Sequence, residues 1–186
     1  VGDWDICPFE ATMMLQLDAA EPAPDILFHF GLRVREKYVV GQRFPHFGDA
    51  VKASPNVTRA RSEGSVSITG PTMQDKPCIS LNYFSDNYDL PKLVQAMKFT
   101  RQLIDTKPLS EFLQSELYPG PKVNTDAEWE AYIRDVCETV YHPCGTARIG
   151  DVVDTQLRVK GIENLYVVDA SVFPTMITVN INAAVM

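Results

Sequence analysis

The chain predicts an α+β fold, and three observations carry that expectation. Short β-type runs come first (26–30, 65–69 and 78–83). Helical periodicities then follow one another between 89 and 136 with no strand between them. Only short apolar runs remain after that. Strands collected ahead of helices, rather than alternating with them, argue for α+β over a parallel α/β sheet.

Residues 1–17 alternate loosely (Trp4, Ile6, Phe9, then Met13, Met14, Leu15, Leu17) and read as strand-like or as a pocket-lining loop. The Pro-rich stretch 18–24, DAAEPAP, is a connector. Ile26, Leu27, Phe28 and Phe30 then form a short buried strand with His29 inside it. Residues 31–55 show weak periodicity and several turn residues (Gly41, Pro45, Gly48, Pro55), the pattern of a long ordered loop. SVSIT at 65–69 alternates as a half-buried strand between Gly64 and Gly70-Pro71, and CISLNY at 78–83 is a second candidate.

Asp89 can cap a helix that carries Pro91 in its first turn. Leu93, Val94, Met97, Leu103 and Ile104 fall near one face of it, with Phe99 at the edge. Leu109 to Leu117 reads as a short helix. Thr125-x-x-Glu128 is a capping box for a third, whose apolar face is Trp129, Tyr132, Ile133 and Val136. Leu157–Val159 and Leu165–Val168 read as short strands around Lys160-Gly161. There are no internal repeats and no low-complexity tracts, and composition alone marks no convincing domain boundary.

The chain has 186 residues, 45% hydrophobic and 22% charged, ample for a packed core. A net charge of −7 argues against nucleic acid or an anionic membrane surface as the main partner. No apolar run reaches the roughly 18–20 residues of a membrane span. Cys7, Cys78, Cys137 and Cys144 are widely spaced, with no metal-ligand pattern, and read as free, partly buried thiols of a reducing compartment. The first residues lack the basic region of a signal peptide, and the chain ends inside an apolar segment, so both ends read as cut.

Histidine is the natural proton handler near neutral pH, and there are three: His29, His46 and His142. His46, in FPHFG, reads as a structural loop residue. His142 sits in YHPCGTARIG at 141–150. Pro143 restricts it to an extended conformation, and Gly145 permits tight backbone packing. Some forty residues on, VVDASVFP at 167–174 is followed by Asn180-Ile181-Asn182. Asp169 by itself could be an Asx-turn residue. These two motifs in this order resemble the C-terminal signature of the glucose–methanol–choline (GMC) family of flavin oxidoreductases, H-P-x-G-T-x-R-M-G, with Cys144 at the variable place and Ile149 where methionine is usual. The likeness extends through Pro55-Asn56-Val57, Arg61-Ser62-x-Gly64-x-Val66, Asp75-Lys76-Pro77 and Tyr83-Phe84. Trp4-Asp5-Ile6, His29-Phe30-Gly31, Val140 to Pro143 and Thr178 to Asn182 are most similar to the choline oxidase and choline dehydrogenase branch.

That resemblance implies an antiparallel sheet covered by helices. Residues 1–140 would be the C-terminal part of the substrate-binding domain, and 141–186 the segment that returns to the FAD-binding domain. It implies FAD as cofactor, and hydride transfer from a primary alcohol that leaves an aldehyde, with choline or a similar small alcohol as leading substrate. His142 would assist proton removal, and Asn180 would hydrogen-bond the substrate oxygen. His29, Trp4, Tyr141 and Val140 would line the substrate site, the aromatic rings attracting a quaternary ammonium. Asp169, Ala170, Asn180, Ile181 and Asn182 would lie against the flavin. Arg148 reads as one half of a structural ion pair, and Cys144 as no catalytic thiol. O2 or another acceptor would take the electrons, a homodimer is the assembly common in the branch, and the compartment expected is cytoplasmic or peroxisomal.

The glycine fingerprint G-x-G-x-x-G is absent, so the FAD-binding portion is expected elsewhere in the enzyme. Aliphatic, aryl or sugar alcohols are alternative substrates. The alternative activities are a lyase, since hydroxynitrile lyases of this fold bind FAD without redox use, and a non-catalytic module.

Overall fold

The computed structural model describes residues 11–33, 37–39, 42–44 and 49–186. Its strands are β1 (Ala11–Leu15), β2 (Ile26–Arg33), β3 (Lys37–Val39), β4 (Gln42–Phe44), β5 (Asp49–Val57), β6 (Ser65–Ser67) and β7 (Cys78–Ser80). Its helices are α1 (Asp89–Ile104), α2 (Asp126–Val136) and the single turn α3 (Asn182–Val185). The chain divides into two compact units, one of residues 1–57 and 90–139, the other of 58–89 and 140–186.

In the first unit β2 lies between β1 and β5, antiparallel to both. Period-2 alternation sorts its side chains. Ile26, Phe28 and Phe30 point to one face, with Met13, Leu15 and Val57 opposite or beside them on the neighbouring strands. Ala96 and Phe99 of α1 close the same cluster, in which Ile26, Phe28 and Ala96 are fully buried. The Phe28 ring centroid lies 5.8 Å from that of Phe99. Each large side chain removed from water here contributes about 1.5–3 kcal/mol. Leu27 and His29 point to the opposite face, with Thr12 and Met14 across on β1 and Ser54 and Asn56 across on β5.

A buried ion pair fastens α1 to the start of β2. Asp25 is fully buried and accepts the Leu17 N–H at 2.7 Å, the Asp18 N–H at 3.1 Å and the Lys92 ammonium at 2.8 Å. Burial pushes its carboxyl up, but these hydrogen bonds and the Lys92 charge outweigh burial and hold it below its ordinary value. Lys92 also lies 3.6 Å from Asp18.

Thr125 and Glu128 form the expected capping box of α2. Trp129 and Ile133 are buried and Tyr132 and Val136 half-buried, as the periodicity predicts. Arg101 joins this part to α1. Its guanidinium sits 4.4 Å from the Trp129 ring and donates to the carbonyls of Val123 and Gly120 and to Glu116.

Several expectations need correction. The long loop expected at 31–55 contains β3, β4 and nearly all of β5. DAVKASPNV lacks a strong β-forming run, and its ladder with β2 supplies the order instead. Pro55 is compatible because, among the described residues, β5 is an edge of the β1-β2-β5 order. Leu109–Leu117 is not a helix, since only Leu109–Glu111 makes a 3-10 turn. Arg101, not local propensity, holds the residues beyond it. Leu157–Val159 and Leu165–Val168 form isolated bridges rather than strands, Val153 with Val159 and Arg158 with Tyr166. The expected strands at 65–69 and 78–83 shorten to three residues each, and both are exposed. In α1 the buried positions are Asp89, Leu90, Lys92, Val94, Ala96 and Thr100, a wider face than the predicted stripe. Of 1–17, Ala11–Leu15 is strand. Trp4, Cys7 and His46 lie outside the described residues. Cys78, Cys137 and Cys144 are free thiols, with Cys78 exposed rather than partly buried. No helix among the described residues is long and apolar enough to cross a membrane.

Replacing Lys92 by methionine should cost on the order of 3–5 kcal/mol, because it strands a buried carboxylate. Urea unfolding of the complete protein measures it. A folded-state value below the ordinary one means that the Asp25 contribution is present above the carboxylate range and lost as pH falls through the lowered value. Without the Lys92 charge, burial raises the Asp25 carboxyl value, so in K92M this acid loss should shrink or reverse, and the variant should lose less stability than the parent as pH falls.

Candidate active site

Beyond α2 the chain is irregular through the histidine motif. Val140 is half-buried. Tyr141 is 79% exposed and adopts a left-handed φ of 67°, uncommon for an aromatic residue. His142 is half-buried and Pro143 exposed. The residues that follow lie along the DAS segment and bond to it through the main chain. Gly145 N–H donates to Ala170 O at 3.3 Å, Ala147 N–H to Ser171 O at 2.8 Å, and Ile149 N–H to Val172 O at 2.9 Å. The two sequence motifs are therefore neighbours in space, three residues after His142 and one after Asp169.

Gly145 has φ +85°, and a Cβ there would lie 3.0 Å from Arg148 Nε and 3.4 Å from the Phe173 carbonyl. Backbone conformation and close approach both require glycine. The Arg148 guanidinium meets Glu63 at 2.6 Å, the ion pair expected of it. Both partners are partly exposed, so the pair contributes about 0–1 kcal/mol and serves mainly to fix geometry. Glu63 is set by its surroundings, where Asp89 accepts the neighbouring N–H groups of Arg61 and Ser62 at 2.8 Å each. Burial pushes the Cys144 thiol up, against a smaller lowering by Arg148, so it stays protonated at neutral pH. It lies 3.5 Å from the Met176 sulfur.

The Asp169 carboxylate accepts the Ser171 N–H at 2.8 Å and caps the turn Ala170–Val172. Bonding to Ser171 lowers its carboxyl value. Asn180 is exposed, Ile181 half-buried, and Asn182 exposed at the start of α3. His142, Tyr141, Val140, Asp169, Ala170, Asn180, Ile181 and Asn182 all belong to the second unit. His29 belongs to the first, buried in β2 at 7% exposure. Two residues not singled out for the site by sequence, Asn56 and Glu63, contact His29 and Arg148. The alternation of Lys52, Ser54 and Asn56 would have signalled Asn56, had β5 been recognised as a strand.

A family model described as GMC oxidoreductase matches residues 60–186. Choline oxidase of Arthrobacter globiformis is 37% identical over 88% of this chain and 31% of its own length. Mitochondrial choline dehydrogenase of Homo sapiens is 35% identical over 87% of this chain and 28% of its own. Among solved structures, pyridoxine 4-oxidase from Mesorbium loti superposes with a TM-score of 0.85 at 31% identity, over 96% of this chain and 36% of that one. The chain belongs to the GMC oxidoreductase family. It spans about a third of the length of the curated relatives it matches.

Members of this family are FAD-dependent. The donor set of the second unit fits such a group. The carboxamides of Asn180 and Asn182, both exposed, offer donors and acceptors together. That combination matches the alternating carbonyl and N–H edge of the flavin pyrimidine ring.

Gly145→Ala should lose about 1–2 kcal/mol from the left-handed backbone alone, and more from its close neighbours. Gly150 is the control, with φ +96° and nothing within 4 Å of the place a Cβ would take. Thermal unfolding should show a larger loss in G145A than in G150A. Equal losses would remove the close-packing argument.

Proposed function

We propose that this chain is the substrate-facing part of an FAD-dependent enzyme that oxidises the CH–OH group of a primary alcohol to an aldehyde. Choline or a similar small amino alcohol is the substrate class that its relatives favour. The observation that carries the reading is the main-chain ladder joining the His142 segment to the DAS segment. It joins the backbone that follows His142 to the segment that the resemblance sets against the cofactor.

His142 takes the hydroxyl proton, and its imidazolium then stabilises the oxygen left behind. Asn180 donates to that oxygen and orients the alcohol. By the family resemblance, Val140, Tyr141, His29 and Trp4 would line the substrate site. An aromatic wall holds a quaternary ammonium by cation–π attraction, about 0.5–2 kcal/mol per ring. Asp169, Ala170, Ile181, Asn180 and Asn182 would hold the flavin, which would supply the two-electron acceptor. O2 or another acceptor would be the co-substrate that takes the electrons.

Anaerobic titration of the complete protein with choline tests the reading, because a flavin that accepts hydride loses its visible absorption. Bleaching with choline supports both reaction and substrate. Bleaching only with another alcohol keeps the reaction and replaces the substrate, and a flavin that no alcohol reduces overturns both. His142→Ala should lower turnover about 10²–10⁴-fold with FAD still bound, the usual contribution of a general acid–base group. Unchanged turnover would remove His142 from this role.

A further inference from the structure

A side-chain contact in the second unit joins two stretches that the main-chain ladder leaves apart. Cys144 Sγ lies 3.5 Å from Met176 Sδ, and both residues are half-buried. A thiol is a weak donor and a thioether a weak acceptor, so the Cys144 S–H donates to Met176. The raised thiol value keeps that donor in place at neutral pH. The ladder itself stops short of this contact, with its first bond at Gly145 and its other side ending at Val172. The Phe173 N–H still turns back to Ala170 O at 3.3 Å. From Pro174 to Asn180, among the described residues, no N–H or carbonyl enters a main-chain hydrogen bond. Main-chain bonding therefore holds the His142 side and leaves the stretch leading to Asn180 to side-chain contacts. Cys144 follows His142 by two residues and Met176 precedes Asn180 by four, so the sulfur pair ties one stretch to the other.

We propose that Met176, held by Cys144, is a positioning residue that sets the carboxamide of Asn180 relative to the His142 segment. The inference rests on the proposed function, in which Asn180 orients the alcohol oxygen. Met176 then acts through Asn180 and touches no reacting atom. The chemistry of the pair suits this task. Methionine is unbranched, and its polarizable sulfur fills irregular gaps. A stretch without main-chain bonds has few other ways to hold its place. The donor is anchored, because Cys144 precedes Gly145, whose N–H is bonded to Ala170 O and whose φ of +85° fixes the turn. Loss of the contact should therefore move the Asn180 side and leave the His142 side on its ladder.

The test uses the complete, FAD-loaded protein. Met176→Ala should lower kcat/KM for the alcohol by up to about 10²-fold, the scale of an ångström-level misplacement in an active site. The same change in an Asn180→Ala background should cost nothing further, because the residue it acts through is already gone. Equal losses in the two backgrounds, or no loss in M176A, overturn the inference. Met176→Leu keeps the volume without the sulfur and serves where M176A does not fold. Its smaller loss should likewise vanish in the N180A background, and a loss that persists there overturns the inference too. A second readout is independent of activity. With methyl-¹³C methionine labelling and assignment by M176L, the Met176 methyl signal should shift in Cys144→Ala. A signal that C144A leaves in place overturns the contact itself. If no alcohol bleaches the flavin in the preceding experiment, the proposed activity falls, and the methyl signal still decides the contact.

Discussion

Three main-chain hydrogen bonds between residues 145–149 and 170–172 are the constraint on which the candidate site depends. Each contributes only about 0.5–1.5 kcal/mol net. Their geometric effect is larger, because they fix the register of two segments that are far apart in sequence. His142 stands three residues before the first bond, and Asp169 one residue before its partner. Since the bonds run through the backbone, side chains can change without disturbing them. Ile149 in place of methionine, and Cys144 at the variable place, both sit within or beside this ladder and leave it intact.

The glycine at 145 and the ion pair of Arg148 with Glu63 serve the same register. The glycine lets the turn adopt φ +85° and come within contact distance of Arg148 and the Phe173 carbonyl. Arg148 then reaches a carboxylate whose own segment is held by Asp89. The motif pattern H-P-x-G-T-x-R thus has a physical reading. Proline restricts the histidine backbone, glycine permits the close turn, and arginine closes against it.

In the first unit, one sheet has two different faces. Ile26, Phe28 and Phe30 seal one against α1 and provide the apolar burial. The other carries His29 and Leu27, with Thr12 and Met14 across on β1 and Ser54 and Asn56 across on β5. The charges of Asp25 and Lys92 are buried at the junction of strand and helix, where they specify how α1 sits on the sheet.

Much of this was legible from residues alone. The capping box and apolar face of α2, the buried strand at Ile26 to Phe30, and the pairing of the His142 and DAS motifs all rest on local signals, namely spacing, capping chemistry and restricted backbone. What escaped the sequence was decided by partners. β5 exists because β2 offers it a ladder, although DAVKASPNV is a weak strand former. The residues after Leu109 are ordered by Arg101 rather than by helix propensity. Val66 and Ile79 alternate like half-buried strand residues but are exposed, because alternation shows which face is apolar and not what covers it. The sequence by itself determined the family, through two motifs that resemble the GMC signature. Only the tertiary structure decided that Asn56 faces His29, because cross-strand neighbours are set by register, and register depends on contacts between residues distant in the chain.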